Sequence, residues 1–128
     1  MEPMTVTSFL VVVAVIWLAY GVGFALAPAT LMSMYGIVLD STGVLLARYL
    51  GAASLGLGLA CWFGRRADAR TLRGINVALF VTNAVGFIAA VLGMLSGVMN
   101  ALGWGNVVLL LLMALGHAYF ALVKPAAT

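Results

Sequence analysis

The 128 residues carry six basic and three acidic side chains, a net charge of +3, against 66% hydrophobic residues and a mean hydropathy of +1.23. Soluble domains carry about 25% charged residues, and 7% cannot clothe a water-facing globule, so the apolar surface is expected to face lipid. One spanning helix takes about 20 apolar residues, so the length accommodates an all-α, four-helix transmembrane bundle as a single membrane domain over 1–128, with short loops and no soluble part.

The first span is expected over 8–27, ending at Pro28, which cannot donate a backbone hydrogen bond. The segment before Phe9 holds Glu2 and no Lys or Arg. The apolar run also exceeds the roughly 7–15 residues of a signal-peptide core, so this helix is expected to be retained. A short helix lying in the membrane interface is expected over 29–38, where Leu31, Met34, Tyr35 and Val38 recur at helical spacing. Gly36 weakens it. The second span is expected over 43–63, the third over 75–96 and the fourth over 104–123, before Lys124 and Pro125. These runs are continuously apolar rather than alternating, which excludes a β-barrel.

Arg65, Arg66, Arg70 and Arg73 face one acid, Asp68, in an expected loop from Gly64 to Gly74. The positive-inside rule places that loop in the cytoplasm, and four spans then put both termini there too. The connections Pro28–Thr42 and Gly97–Gly103 contain no Lys or Arg, in keeping with the opposite side. Trp62 and Trp104 fall at span ends, where interfacial anchors belong. Basic clusters also serve nucleic-acid binding, which is not expected between two spans. The expected partners are the lipid bilayer and other membrane subunits or a second copy of the chain. With one cysteine, Cys61, and one histidine, neither a disulfide within the chain nor a structural metal site is expected.

Small residues let helices approach closely in lipid. In the second span Ala47, Gly51, Ser54, Gly58 and Cys61 recur at steps of four, three, four and three residues, which puts all five on one stripe. In the third, Asn76, Asn83, Ala90 and Gly97 share a stripe, and in the fourth so do Asn106, Leu110, Met113 and His117. Asparagine in lipid needs a partner, so these faces are expected to turn inward and meet.

Arg48 stands about five residues inside the second span, roughly 7–8 Å of helix rise. Two readings are open: a snorkelling cation paired with Asp40 or a phosphate, or an anionic site for a lipid headgroup, a quinone oxygen or a small carboxylate. Asp40 reads as a helix cap or as a proton or ion site. Tyr20 and Asn106 lie near Arg48 in depth and, with it, could line an outward-facing vestibule; Tyr20 also reads as a packed aromatic. His117 and Asn83 share similar depth, so a buried hydrogen bond between them is one reading, and an axial ligand to haem or chlorophyll or a proton relay the others. Cys61 lacks a partner cysteine and reads as a packing residue. No Ser/His/Asp set exists, no glutamate lies in a span, and no phosphate-binding glycine loop with lysine occurs, so no catalytic residue is assigned.

Two stretches carry a resemblance. One runs from Phe24 through Pro28, Tyr35-Gly36 and Asp40 to Leu46-Ala47-Arg48-Tyr49-Leu50-Gly51-Ala52 and Leu55-Gly56-Leu57-Gly58. The other is Asn100-Ala101-Leu102-Gly103-Trp104, then Ala114-Leu115-Gly116 and Tyr119-Phe120. Together they resemble a family of small bacterial four-helix membrane proteins of unknown function, distantly similar to the DoxX-like group. The resemblance covers most of the chain and implies a bacterial inner membrane and four helices. DoxX-like proteins include a small subunit of a thiosulfate:quinone oxidoreductase, which implies a quinone-linked accessory role and transfers no site residue. The leading expectation is a non-enzymatic structural or accessory subunit of a bacterial inner-membrane complex. The alternatives are a quinone- or lipid-binding protein with an outward-facing site at Arg48, and pigment or haem binding through His117. The sequence requires no cofactor.

Overall fold

The computed structural model describes residues 2–124; Pro125, taken above to follow the last span, and the C-terminus lie outside them. Helix α1 (Val6–Leu26) starts at Thr5, whose Oγ1 accepts the Ser8 N–H at 3.1 Å. It stops at Ala27, and Pro28 opens α2 (Pro28–Met34), a position where its missing N–H costs nothing. Gly36 closes α2 at φ +79°: Ile37 N–H donates to Met32 O at 3.1 Å and Gly36 N–H to Ser33 O at 3.0 Å. This is a Schellman ending, which needs a left-handed residue and so favours glycine. The expected helix over 29–38 is therefore shorter, because Gly36 terminates it rather than only weakening it.

Asp40 caps α3 (Ser41–Gly64), its Oδ1 accepting the Gly43 N–H at 2.7 Å. The connection after α3 is shorter than the sequence suggests. Helix α4 (Ala69–Leu95) begins at Asp68, whose Oδ1 accepts the Arg70 and Thr71 N–H groups at 3.1 Å each, while Thr71 Oγ1 donates to Oδ2 at 2.6 Å. These bonds, the Thr71 hydroxyl first, hold the Asp68 carboxyl below the usual carboxylate range. Arg70 and Arg73 thus belong to the helix. The apolar run starts where the charges stop, but a helix starts where its first N–H groups find an acceptor. Gly97, at φ +73°, ends α4 as Gly36 ends α2, with Val98 N–H on Gly93 O at 3.0 Å. Helix α5 (Gly103–Ala118) continues as a π-helical turn over Tyr119–Val123.

The described residues form an all-α bundle in which Val6–Leu26, Ser41–Gly64, Ala69–Leu95 and Gly103–Val123 are long and apolar enough to cross a membrane. Helix α1 packs on α3, and α4 on α5, with fewer contacts between the two pairs. The buried residues of α3 are Ala47, Gly51, Ser54, Gly58 and Cys61, and this face meets α1 backbone to backbone. A Cβ on Gly51 would stand 2.6 Å from Ala25 N and 2.9 Å from Gly21 O; one on Gly58 would stand 3.0 Å from Leu18 N. The stripe is thus occupied within the chain.

The bundle has two unlike ends. The arginine end holds Thr5 and the turn at 65–68, where Thr7 Oγ1 donates to Arg65 O at 3.1 Å and the Arg65 guanidinium lies 4.0 Å over the Trp62 ring. The α2 end holds α2 and the connection from α4 to α5. There Asn100 fastens the two halves together: its N–H donates to Tyr35 O at 2.8 Å and its Nδ2 to Met34 O at 2.9 Å. The Asn100 and Tyr35-Gly36 stretches, both quoted for the resemblance, meet at this point.

Candidate functional site

Beneath α2, the gap between the two helix pairs widens into a cavity of about 510 Å³. Small-molecule sites run from about 300 to 1,000 Å³. All four long helices contribute to its wall, and Met32, Tyr35 and Met99 cover it at the α2 end. No Asp, Glu, Lys, Arg or His lines it.

The levels of its residues follow from two contacts at the arginine end. The Phe9 ring lies edge-on to His117, centroids 4.8 Å apart, and His117 Nδ1 is 2.9 Å from Asn76 Oδ1. Tyr20 follows Phe9 by eleven residues and Asn106 precedes His117 by eleven. Helices α1 and α5 run in opposite directions, so both climb about 16 Å toward the α2 end and stand level. Tyr35 joins them: its hydroxyl is 3.3 Å from that of Tyr20. Two hydroxyls sharing one bond leave one O–H free to donate. Asn100 has its amide engaged. The Asn106 carboxamide, by contrast, has no hydrogen-bond partner among the described residues, and it lines the cavity with two donors and an acceptor to offer.

The other hydroxyls of the wall are already used, Ser54 at the level of Tyr20, where Leu55 N backs Gly21, and Thr82 lower down. Ser54 Oγ donates to Leu50 O at 2.8 Å and Thr82 Oγ1 to Ala78 O at 3.0 Å, each back onto its own helix. Trp17 lines the lower part with its ring, while its Nε1–H is buried without a partner among the described residues. The cavity is therefore polar at its α2 end and apolar below.

The residues singled out in sequence fall into three places. Tyr20 and Asn106 line the cavity, and Ser54 lines it as well as packing against α1. Arg48 does not line it; the side chain is exposed on α3. Asp40 is engaged as the cap of α3, so the vestibule expected around Arg48, Tyr20 and Asn106 forms around the last two only. His117 and Asn83 are fully buried away from the wall. The partner of His117 is Asn76, not Asn83, because α4 begins six residues before the expected start and every depth counted from it shifts. Asn76 Nδ2 donates to Leu72 O at 2.9 Å, so its oxygen accepts and His117 Nδ1 carries the proton. His117 Nε2 is buried without a partner among the described residues. The Phe9 ring packs edge-on against His117, and Phe120 lies beside Phe9 with ring centroids 5.1 Å apart. Cys61 is buried at 0% exposure in the core cluster with Leu10 and Val13.

Trp17, Tyr35 and Met99 were not singled out as site residues in the sequence. Tyr35 carried a signal, as part of the apolar spacing near Gly36; Trp17, mid-span rather than at an interface, carried another. Comparison of the chain with known protein families, with curated proteins and with solved structures finds no match in any of the three, and its function has to be read from the site's own geometry.

Proposed function

We propose that this is a non-enzymatic membrane protein that binds one lipophilic molecule, of the quinone or lipid class, in the cavity beneath α2. The observation that carries this reading is an uncharged space of about 510 Å³, apolar along most of its wall and reached by all four long helices. Protein interiors are close-packed, and a gap this large between the two helix pairs gives room for one guest molecule. An apolar wall selects hydrocarbon, and the absence of charged side chains on it disfavours an ion. The stripe on α3, the main support for an accessory subunit, is taken up by α1, so the cavity is the stronger support.

The test is to extract and identify what the purified protein retains. About one quinone or lipid molecule per chain is expected, held through washes that strip loosely bound lipid. Gly86→Leu should abolish retention, since Gly86 lies on the wall and a Cβ there already reaches 3.4 Å from Leu110. Equal retention by the wild type and a folded Gly86→Leu protein would sink the proposal.

The same reading puts the arginine end in the cytoplasm of a bacterial inner membrane, with α2 on the opposite side. It rests on Arg65, Arg66, Arg70 and Arg73 gathering at one end of the bundle. A cysteine at Arg66, in a Cys61→Ser background, should react with an impermeant maleimide in inverted vesicles and not in right-side-out ones. The reverse pattern would overturn the orientation.

A further inference from the structure

We infer that the cavity takes an uncharged amphiphile, a hydrocarbon chain ending in one hydroxyl or carbonyl group, and binds it in one direction. The polar end sits among Tyr20, Tyr35 and Asn106, and the chain runs down beside Trp17. This rests on the cavity being a lipophile site, and adds to it the class of head and the sense of binding.

Direction follows from where the donors are. At the α2 end one tyrosine proton and both Asn106 N–H groups are free of partners among the described residues. The Ser54 proton, level with Tyr20 where Leu55 N backs Gly21, is spent on Leu50 O, and below that level the Thr82 proton is spent on Ala78 O. The Trp17 Nε1–H is buried, so the open space meets only the ring. A carbonyl therefore finds donors only at the α2 end. A hydroxyl placed there can also donate, to the Asn106 carbonyl or a tyrosine oxygen. Reversed, the same group would lie against Trp17, Leu109 and Met113 and lose its hydration without a hydrogen bond in return.

Charge selection follows from the wall. With no ionic side chain on it, a carboxylate, phosphate or ammonium drawn inside would be desolvated with no countercharge. Neutral heads are admitted and ionised ones stay in the interface. Asn106 is the specificity-determining residue, because it offers both donor and acceptor at the level of the tyrosine pair.

The chain contains three tryptophans, Trp17, Trp62 and Trp104. A Trp62→Phe/Trp104→Phe protein in nanodiscs leaves Trp17 as the sole fluorophore, at the lower end of the site. Two long-chain alcohols, one brominated at the chain terminus and one beside the hydroxyl, report direction. Terminal bromine should quench Trp17 saturably, be displaced by unlabelled alcohol, and exceed head bromine severalfold. An ionised carboxylate or trimethylammonium with the same terminal bromine should give no saturable quenching. Asn106→Leu should weaken the alcohol about tenfold, and Asn106→Gln should recover part of the loss.

Stronger quenching by the head-brominated alcohol, or equal quenching by the charged amphiphiles, would overturn the inference and leave the cavity occupied. An unaltered affinity in Asn106→Leu would remove Asn106 from the role. Saturable quenching by none of the probes would count against the lipophile site itself. The first two comparisons need no substitution in the site, so they hold whether or not the Asn106 variants fold.

Discussion

Asn76 and Asn83 sit two turns apart on one stripe of α4, both almost fully buried, yet they carry different loads. Asn76 bridges two helices, accepting from His117 Nδ1–H while it donates to Leu72 O. Asn83 only donates back to Leu79 O, and its Oδ1 has no partner among the described residues. Removing a buried partner from another helix costs more than removing a group bonded only within its own helix, whose oxygen is already unpaired. Asn76→Leu should destabilise the protein by about 1–2 kcal/mol, within the range of interhelical hydrogen bonds in bilayers and stranded buried donors. Asn83→Leu, which gives up one bond within the helix and removes an orphaned carbonyl oxygen for an apolar group of similar size, should be close to neutral. Unfolding titrations in mixed detergent would compare them, and equal losses would contradict the assignment. That an asparagine stripe on α4 faces inward is readable in the sequence, because amides cannot face lipid alone. Which asparagine meets His117 is not, because depth is counted from the helix start, and the cap at Asp68 lies outside the apolar run.

Among the elements, α3 shows most plainly what a sequence can reveal about packing. Only small side chains let two backbones touch, so a row of Ala47, Gly51, Ser54, Gly58 and Cys61 marks a contact face whatever lies opposite. That the face opposite is α1 requires the fold. Two glycines of this helix separate contact from exposure. A Cβ on Gly51 would meet the α1 backbone at 2.6 Å, whereas one on Gly56 meets nothing within 4 Å. Gly51→Leu should cost about 3 kcal/mol or more, since backbone cannot step aside as a side chain can. Gly56→Leu should stay within about 0.5 kcal/mol. The same titration checks both, and a Gly51→Leu protein as stable as the wild type would mean that α1 and α3 are not in this contact. Helix α2 is legible by its spacing and by Pro28, but its role as a cover is not, because that depends on a residue 66 positions away.

For the molecule as a whole, the Asn100 bonds to Met34 and Tyr35 hold the cover in place. Asn100→Ala should leave the long helices intact and loosen the α2 end. Hydrogen exchange should speed up by an order of magnitude or more at the Gly36 and Ile37 amides, which close the α2 turn, and stay unchanged in the middle of α1. Uniform exchange across both segments would count against Asn100 as the fastening. The cavity is the least legible feature of the chain. Tyr20, Tyr35 and Asn106 stand far apart in sequence, on α1, after α2 and on α5; counting depth along the spans puts Tyr20 and Asn106 level, but nothing in the sequence brings Tyr35 to them or replaces Arg48 with it. They become a site only through the level that Phe9, His117 and Asn76 impose at the other end. A charged residue inside a span is conspicuous in sequence, which is why Arg48 draws attention that the geometry gives to its uncharged neighbours.

The wall of the cavity also fixes when the site can come into being. Residues 6–64 can insert as one helical hairpin and residues 69–123 as a second, each satisfying its own backbone hydrogen bonds in lipid. Neither hairpin encloses the space alone. Asn106, Leu109 and Met113 arrive only with α5, and Asn100 reaches α2 only after α4 has turned back. A chain stopped during synthesis before Trp104 would hold three inserted helices and no pocket. Under the proposed function, ligand retention would therefore report that α5 has joined the bundle.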